Sequence, residues 1–295
     1  MNTTTIIRQI KEYMGAYGKA YTLLYLIGAV TILTSCVKDD LYDTPHPDRG
    51  AVVVTTDWSG KSTEADIPQA YTLRIGGREQ NVSAATNVFD ALLAPGGYGL
   101  TVYNSPEGIS IDGNKATVNP VDLTGAIEPH PGYLFASHQD ISVVADDTLH
   151  VTCESKLMVQ RIVFNITVTN TGILEYTGIT AELDGVTTSR YVRTREKGSG
   201  FATLPFTVSP EKENFFRKEV LVFGINTGVS NVIRLHLDGD MPVDADLDLS
   251  DVFKDFTADG ISVDITVRVS PSLHTASASI EDWQNVEWGQ GIITY

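Results

Sequence analysis

The sequence predicts an all-β fold: two tandem β-sandwich domains, 51–156 and 157–295, behind an export segment at 1–35 and a tether at 36–50. Three observations predict it. Short β-branched and aromatic runs recur along the chain, separated by Gly, Pro, Asn and Asp. Residues 261–269 alternate cleanly, with Ile261, Val263, Ile265, Val267 and Val269 on one face and acidic, basic and hydroxyl residues on the other. Only residues 84–93 carry a pattern compatible with a helix, and only for a few turns.

The elements follow in order. Arg8, Lys11 and Lys19 against the single acid Glu12 make a positive opening. The apolar run 21–33 is shorter than the roughly 20 residues that a spanning helix needs. It ends in Leu33-Thr34-Ser35-Cys36, the lipobox of a lipoprotein signal. Small residues at 34 and 35 allow cleavage just before Cys36, whose thiol accepts the lipid. Residues 37–49 are polar, contain two prolines and read as the tether.

The first strand is 51–56, AVVVTT, followed by Asp57-Trp58. Further strands are expected at 71–75, 98–103, 109–111, 115–118, 141–144 and 149–153, with Asp112-Gly113-Asn114 turning a hairpin. A long apolar stretch over 157–169 breaks strict alternation, which calls for a bulge or a strand that bends between sheets. Strands at 179–183, 200–208, 219–225, 232–237, 261–269 and 276–280 complete a second sandwich, about seven strands per sandwich, with the boundary near 154–156.

Charge narrows the partners. The chain carries 21 bases and 37 acids, net −16. Removing Arg8, Lys11, Lys19 and Glu12 with the signal leaves 18 bases and 36 acids, net −18. Such a surface repels nucleic acid and anionic headgroups. Of the two cysteines, lipid consumes Cys36, so Cys153 has no intramolecular partner and each sandwich must stand on its own core.

No catalytic constellation emerges, and no cofactor or metal is expected. HExxH, paired zinc cysteines, the GxSxG elbow, the P-loop and the dinucleotide fingerprint are all missing from the sequence. His130 and His138 in EPHPGYLFASHQD read as loop histidines. Asp238, Asp240, Asp244, Asp246, Asp248 and Asp251 are dense enough to suit Ca²⁺, but their spacing is not that of an EF-hand, and a solvated acidic segment is the plainer reading.

Several features carry a resemblance. Val37-Lys38-Asp39-Asp40 resembles the Lys/acidic tag of Bacteroidetes lipoproteins exported to the cell surface; an ordinary solvated cluster is the alternative. Asp147-Thr148-Leu149 resembles the short O-glycosylation sequence of such exported proteins, with Thr148 as acceptor. The lipobox, the opening His46-Pro47-Asp48-Arg49-Gly50 before an apolar strand and Asp57-Trp58, the mid-chain strand around Arg161, and the late Ile280-Glu281-Asp282-Trp283 together resemble the Bacteroidales fimbrial subunits of type V pili, in particular FimB-type minor or anchor subunits. Related openings often carry a second cysteine before the first strand; this one does not.

The resemblance implies transthyretin-like sandwiches, a lipid anchor in the outer membrane with surface exposure, cell adhesion, and other fimbrial subunits as partners through β-strand complementation. It also implies a protease site after an arginine, for which Arg49 is the candidate. Because Arg49 precedes the first strand, cutting there frees the lipid without opening a groove, which favours an anchor over a stalk subunit. The alternative is a surface glycan-binding lipoprotein of a nutrient-uptake system. That reading needs aromatic platforms, and Trp58, Trp283 and Trp288 are the only tryptophans.

Overall fold

In the computed structural model the described residues are 48–61, 65–121, 125–254, 256 and 259–287. The signal, Cys36, the tether before Asp48, and Trp288 with the residues after it lie outside them. None of the described helices is long and apolar enough to cross a membrane. Residues 48–287 belong to one compact unit.

The chain is all-β. Its N-terminal half contributes β1 (Ala51–Asp57), β2 (Tyr71–Ile75), β3 (Arg78–Val82), β4 (Thr86–Val88), β5 (Gly96–Tyr103), β6 (Ile109–Asp112), β7 (Lys115–Val118), β8 (Phe135–Val143), β9 (Thr148–Glu154) and β10 (Lys156–Leu157). A three-stranded sheet β4-β1-β9 faces a five-stranded sheet β10-β8-β5-β2-β3. β1 alternates because it has one buried face. Val52, Val54 and Thr56 point into the core, while Ala51, Val53 and Thr55 are half-buried on the other side. Each of the two buried valines contributes on the order of 1.5–3 kcal/mol of transfer free energy. Trp58, just beyond β1, meets Tyr71 and Phe135 edge-on at 5.3 and 5.7 Å between ring centroids.

The C-terminal half holds β11 (Gln160–Thr169), β12 (Tyr176–Thr187), β13 (Ser189–Tyr191), β14 (Phe201–Val208), β15 (Pro210–Lys212), β16 (Phe215–Val222), β17 (Val232–Gly239), β18 (Val243–Asp248), the short helix α1 (Ser250–Lys254), β19 (Gly260–Ser270) and β20 (Thr275–Val286). Sheets β15-β16-β11-β19-β20 and β14-β12-β17-β18 form its two layers. Phe164 of β11 stacks on Phe206 of β14 at 5.4 Å and ties the layers together. A fifth sheet, β13-β7-β6, joins strands from both halves.

The two halves share an unusual pairing. β1 lies parallel to β9, and β11 parallel to β19, whereas every other ladder between the described strands is antiparallel. β19 carries the expected alternation, with Ile261, Val263, Ile265, Val267 and Val269 buried and Asp264 and Arg268 exposed.

The irregular stretch 157–169 does change sheets. β10 ends at Leu157 beside β8, and β11 restarts at Gln160 between β16 and β19. Met158 and Val159 at the crossing are both buried. β11 breaks alternation because it is buried on both faces from Arg161 to Ile166.

Residues 84–93 are not helical. Phe89 and Leu93, four residues apart, are both buried, and this spacing imitates a helix face. Thr86–Val88 instead runs antiparallel to β1, and Gly50 and Leu93 exchange backbone hydrogen bonds of 2.9 Å. The expected strand 219–225 is shifted to Phe215–Val222, and Gly224 just after it, with φ at +138°, adopts a backbone conformation disfavoured for residues with a Cβ.

Candidate assembly surface

The entry of the first strand is pinned on both flanks. The Arg49 carbonyl accepts the Asp146 N–H at 3.1 Å, and the Ala51 N–H donates to the Asp147 carbonyl at 2.9 Å. On the other side, Arg49 Nη1 donates to the Leu92 carbonyl at 3.4 Å. The Arg49 side chain is exposed, but Gly50 is buried. The candidate cleavage site is therefore a chemically accessible arginine on a backbone held between two neighbouring segments. A protease needs an extended, free segment, so cutting after Arg49 requires this entry to open locally first.

β1 and β9 then run in perfect parallel register from Ala51↔Thr148 to Asp57↔Glu154. Two backbone hydrogen bonds fix which groups of β9 face β1. The Ala51 N–H reaches the Asp147 carbonyl, and the Ser155 N–H reaches the Asp57 carbonyl. In a parallel ladder the odd residues of β9 therefore point their backbone groups at β1, and Thr148, His150 and Thr152 point theirs away. The Thr148 N–H is met by the side chain of Asp147 at 2.7 Å. Among the described residues, β9 has a strand on one side only.

Every other long edge strand is blunted. β3 carries Arg78 and Glu79, β14 contains Pro205, and β18 exposes Asp244, Asp246 and Asp248. β20 shifts register opposite Asp264 and Ile265. The remaining edge strands have four residues or fewer. β9, reading TLHVTCE, has no Lys, no Pro and no register shift. It is the edge open to another strand.

Thr148, the candidate glycan acceptor, is exposed at the start of this same edge. Thr148, His150 and Thr152 share the exposed face of β9, while Cys153 turns inward and is buried. Burial pushes the Cys153 thiol up to about 11, against a smaller opposing hydrogen bond with Ser137. It is the free cysteine of the described residues and is poorly reactive at neutral pH.

The histidines fall apart in space. His130 lies exposed in the loop before β8. His138 sits on β8 with Nδ1 2.9 Å from Thr101 Oγ1 and Nε2 3.6 Å from Asp140. Burial, aided by the Arg193 charge, holds its pKa below the usual histidine value. His236 goes the other way, raised first by its hydrogen bond to Asp244 at 2.6 Å.

The acidic run 238–251 is divided among separate partners. Asp238 lies 3.5 Å from His236 Nε2, Asp240 accepts the Glu175 N–H at 3.1 Å, Asp248 caps Ser250, and Asp251 pairs with Lys254 at 2.6 Å. No group of three His, Cys, Asp or Glu side chains suited to a metal ion occurs among the described residues. Trp58 is spent on the core, so it offers no platform to a glycan.

The chain matches no protein-family model and no curated protein sequence. Solved structures do match. A candidate cell adhesion protein from Bacteroides eggerthii superposes with a TM-score of 0.55 at 10% identity, covering 82% of this chain and 97% of its own. A candidate polysaccharide-binding protein from Bacteroides thetaiotaomicron gives 0.51 at 10% identity over 75% of this chain and 92% of its own. The fimbrial anchor protein Mfa2 of Porphyromonas gingivalis gives 0.48 at 11% identity over 79% and 97%. At these identities the likeness is one of fold: this chain has the all-β sandwich architecture of the B. eggerthii and B. thetaiotaomicron proteins.

Proposed function

We propose that this chain is a lipid-anchored surface subunit, a minor or anchor component of a fimbria in the outer membrane, without enzymatic activity. It keeps its own first strand and receives a strand from another subunit along β9. The observation that carries this reading is the open β9 edge, a seven-residue strand without Lys, Pro or a register shift. Two further observations support it. β1 is zipped between β4 and β9 with Val52 and Val54 fully buried, so the strand next to the open edge is well held. The lipobox provides the attachment, and the fold is that of a candidate cell adhesion protein.

Thr148 stands at the entry of the edge, where an O-glycan would limit which partner can dock. The Arg49 carbonyl and Gly50 N–H are both engaged, so the subunit retains its lipid unless the entry is opened.

Thr152→Pro tests the edge. It removes an outward N–H and leaves the ladder to β1 untouched. The variant should fold, remain on the membrane and lose association with co-expressed fimbrial subunits; undiminished association would refute the β9 reading. Cys36→Ala tests the anchor. The protein should leave the membrane fraction or accumulate unprocessed, and unchanged attachment with unchanged mass excludes lipidation at Cys36.

A further inference from the structure

Residues 188–200 leave the C-terminal half between β12 and β14 and fasten onto the N-terminal half. β13 adds to β7 with pairs Ser189↔Thr117, Arg190↔Ala116 and Tyr191↔Lys115. The Val118 N–H donates to the Thr188 carbonyl, and the Val192 N–H to the Asn114 carbonyl, both at 2.9 Å. The Arg193 N–H reaches Asn114 Oδ1 at 2.6 Å, and its guanidinium lies 3.5 Å from Asp140.

The same segment grips the connector between the halves. Arg190 Nη1 donates to the Met158 carbonyl at 2.6 Å, and Arg195 Nη2 to the Leu157 carbonyl at 3.2 Å. These are the residues at which the chain changes sheets. Arg190 Nε is held in turn by the Arg195 carbonyl at 2.7 Å. Within the arm, a Cβ on Gly198 would lie 2.1 Å from Ser189 Oγ and 3.2 Å from the Ser189 carbonyl oxygen, so a larger residue there would have to displace the Ser189 hydroxyl.

The charges explain why this matters. Neither Arg190 nor Arg195 forms an ion pair with a carboxylate among the described residues; both rest on backbone carbonyls. Burial, with the nearby Arg195 charge, lowers the Arg190 pKa to about 10, partly opposed by Asp259. A half-buried guanidinium that depends on carbonyl dipoles loses its compensation when those carbonyls move. Relative motion of the halves about Met158–Val159 would strand Arg190 and Arg195 together.

We propose that residues 188–200 are a clasp that makes the two halves one cooperative unit, with Arg190 and Arg195 fastening it to the connector. Without it, the halves would be joined by the crossing and by two backbone hydrogen bonds, from the Ile127 N–H to the Thr203 carbonyl at 3.2 Å and from the Leu221 N–H to the Pro129 carbonyl at 3.4 Å, and could open separately.

Hydrogen exchange of the full-length chain in increasing urea tests this, comparing β5 and β8 of one half with β11 and β19 of the other. In the wild type both sets should exchange through one common opening. In Arg190→Met/Arg195→Met the halves should separate, one exchanging at least about tenfold faster than the other, since hydrogen bonds to charged groups are worth that much or more. Two results would overturn the clasp: halves that still open together in the double variant, however much it is destabilised, or halves that already open separately in the wild type. If the double variant fails to fold, Asn114→Ala, which removes the acceptor of the Arg193 N–H, is judged by the same criterion.

Discussion

A methyl group at Gly50 would lie 2.3 Å from the Val144 carbonyl oxygen, 2.6 Å from a Val143 methyl and 3.2 Å from the Asp147 carbonyl oxygen. Two of these three atoms are backbone and cannot turn aside. Only glycine lets the chain enter β1 this close to its neighbours. Gly50→Ala should therefore cost about 1–3 kcal/mol, as overpacking of a well-packed site does. Urea unfolding reads the loss directly. Because the strain falls at the pinned entry, the variant should also be cut faster by trypsin at Arg49. Wild-type stability together with wild-type cleavage would mean that the entry is looser than this geometry. At this scale the sequence nominates residues and is mute about their position. Arg49 and Thr148 stand out from their local motifs alone. That Ala51 pairs with Thr148, and that the Arg49 carbonyl is bonded to Asp146, depends on contacts spanning nearly a hundred residues. No local pattern encodes them.

At the scale of elements, strands with one wet face were legible and strands with two dry or two wet faces were not. β1 and β19 alternate because solvent touches one side of each, and the β6–β7 hairpin announces itself through Gly113, whose φ of +55° suits a two-residue turn. β11 is dry on both sides, so its sequence cannot show where it bends; the break at Met158–Val159 is set by which neighbours accept each piece. β3 and β15, reading REQNV and PEK, are polar edge strands that look like loops. β13 is hidden within the basic stretch RYVRTREKG, which reads as a surface loop until β7 is seen to take it as a third strand. The parallel partnerships of β1 with β9 and β11 with β19 lie beyond periodicity altogether, since period two reports faces and says nothing of neighbours. The open edge was equally hidden: TLHVTCE is unremarkable until one knows that, among the described residues, no strand pairs with its outer side.

For the whole molecule, an edge without Lys, Pro or a bulge could join copies of the chain to each other, and net charge opposes that. The chain, at a net −16, repels its own copies, and the acids nearest the edge sharpen the effect. Asp146 and Glu154 flank β9, and an antiparallel pair of β9 strands centred on His150 and bonded through their even residues would bring Asp146 of each copy towards Glu154 of the other. Like charges opposed across a ladder destabilise it. A partner strand without acids at those ends would meet no such barrier, so the proposed edge would favour another subunit over a second copy of this chain. The screening length is about 8 Å at physiological ionic strength and about 3 Å at 1 M. Sedimentation should therefore find a monomer in dilute buffer and a concentration-dependent dimer as salt approaches roughly 1 M. Thr152→Pro should stay monomeric at both salt levels, because the dimer needs the outward backbone groups of β9. A dimer that forms equally well at low salt would show that charge is not the guard, and a Thr152→Pro dimer at high salt would move the contact to another surface.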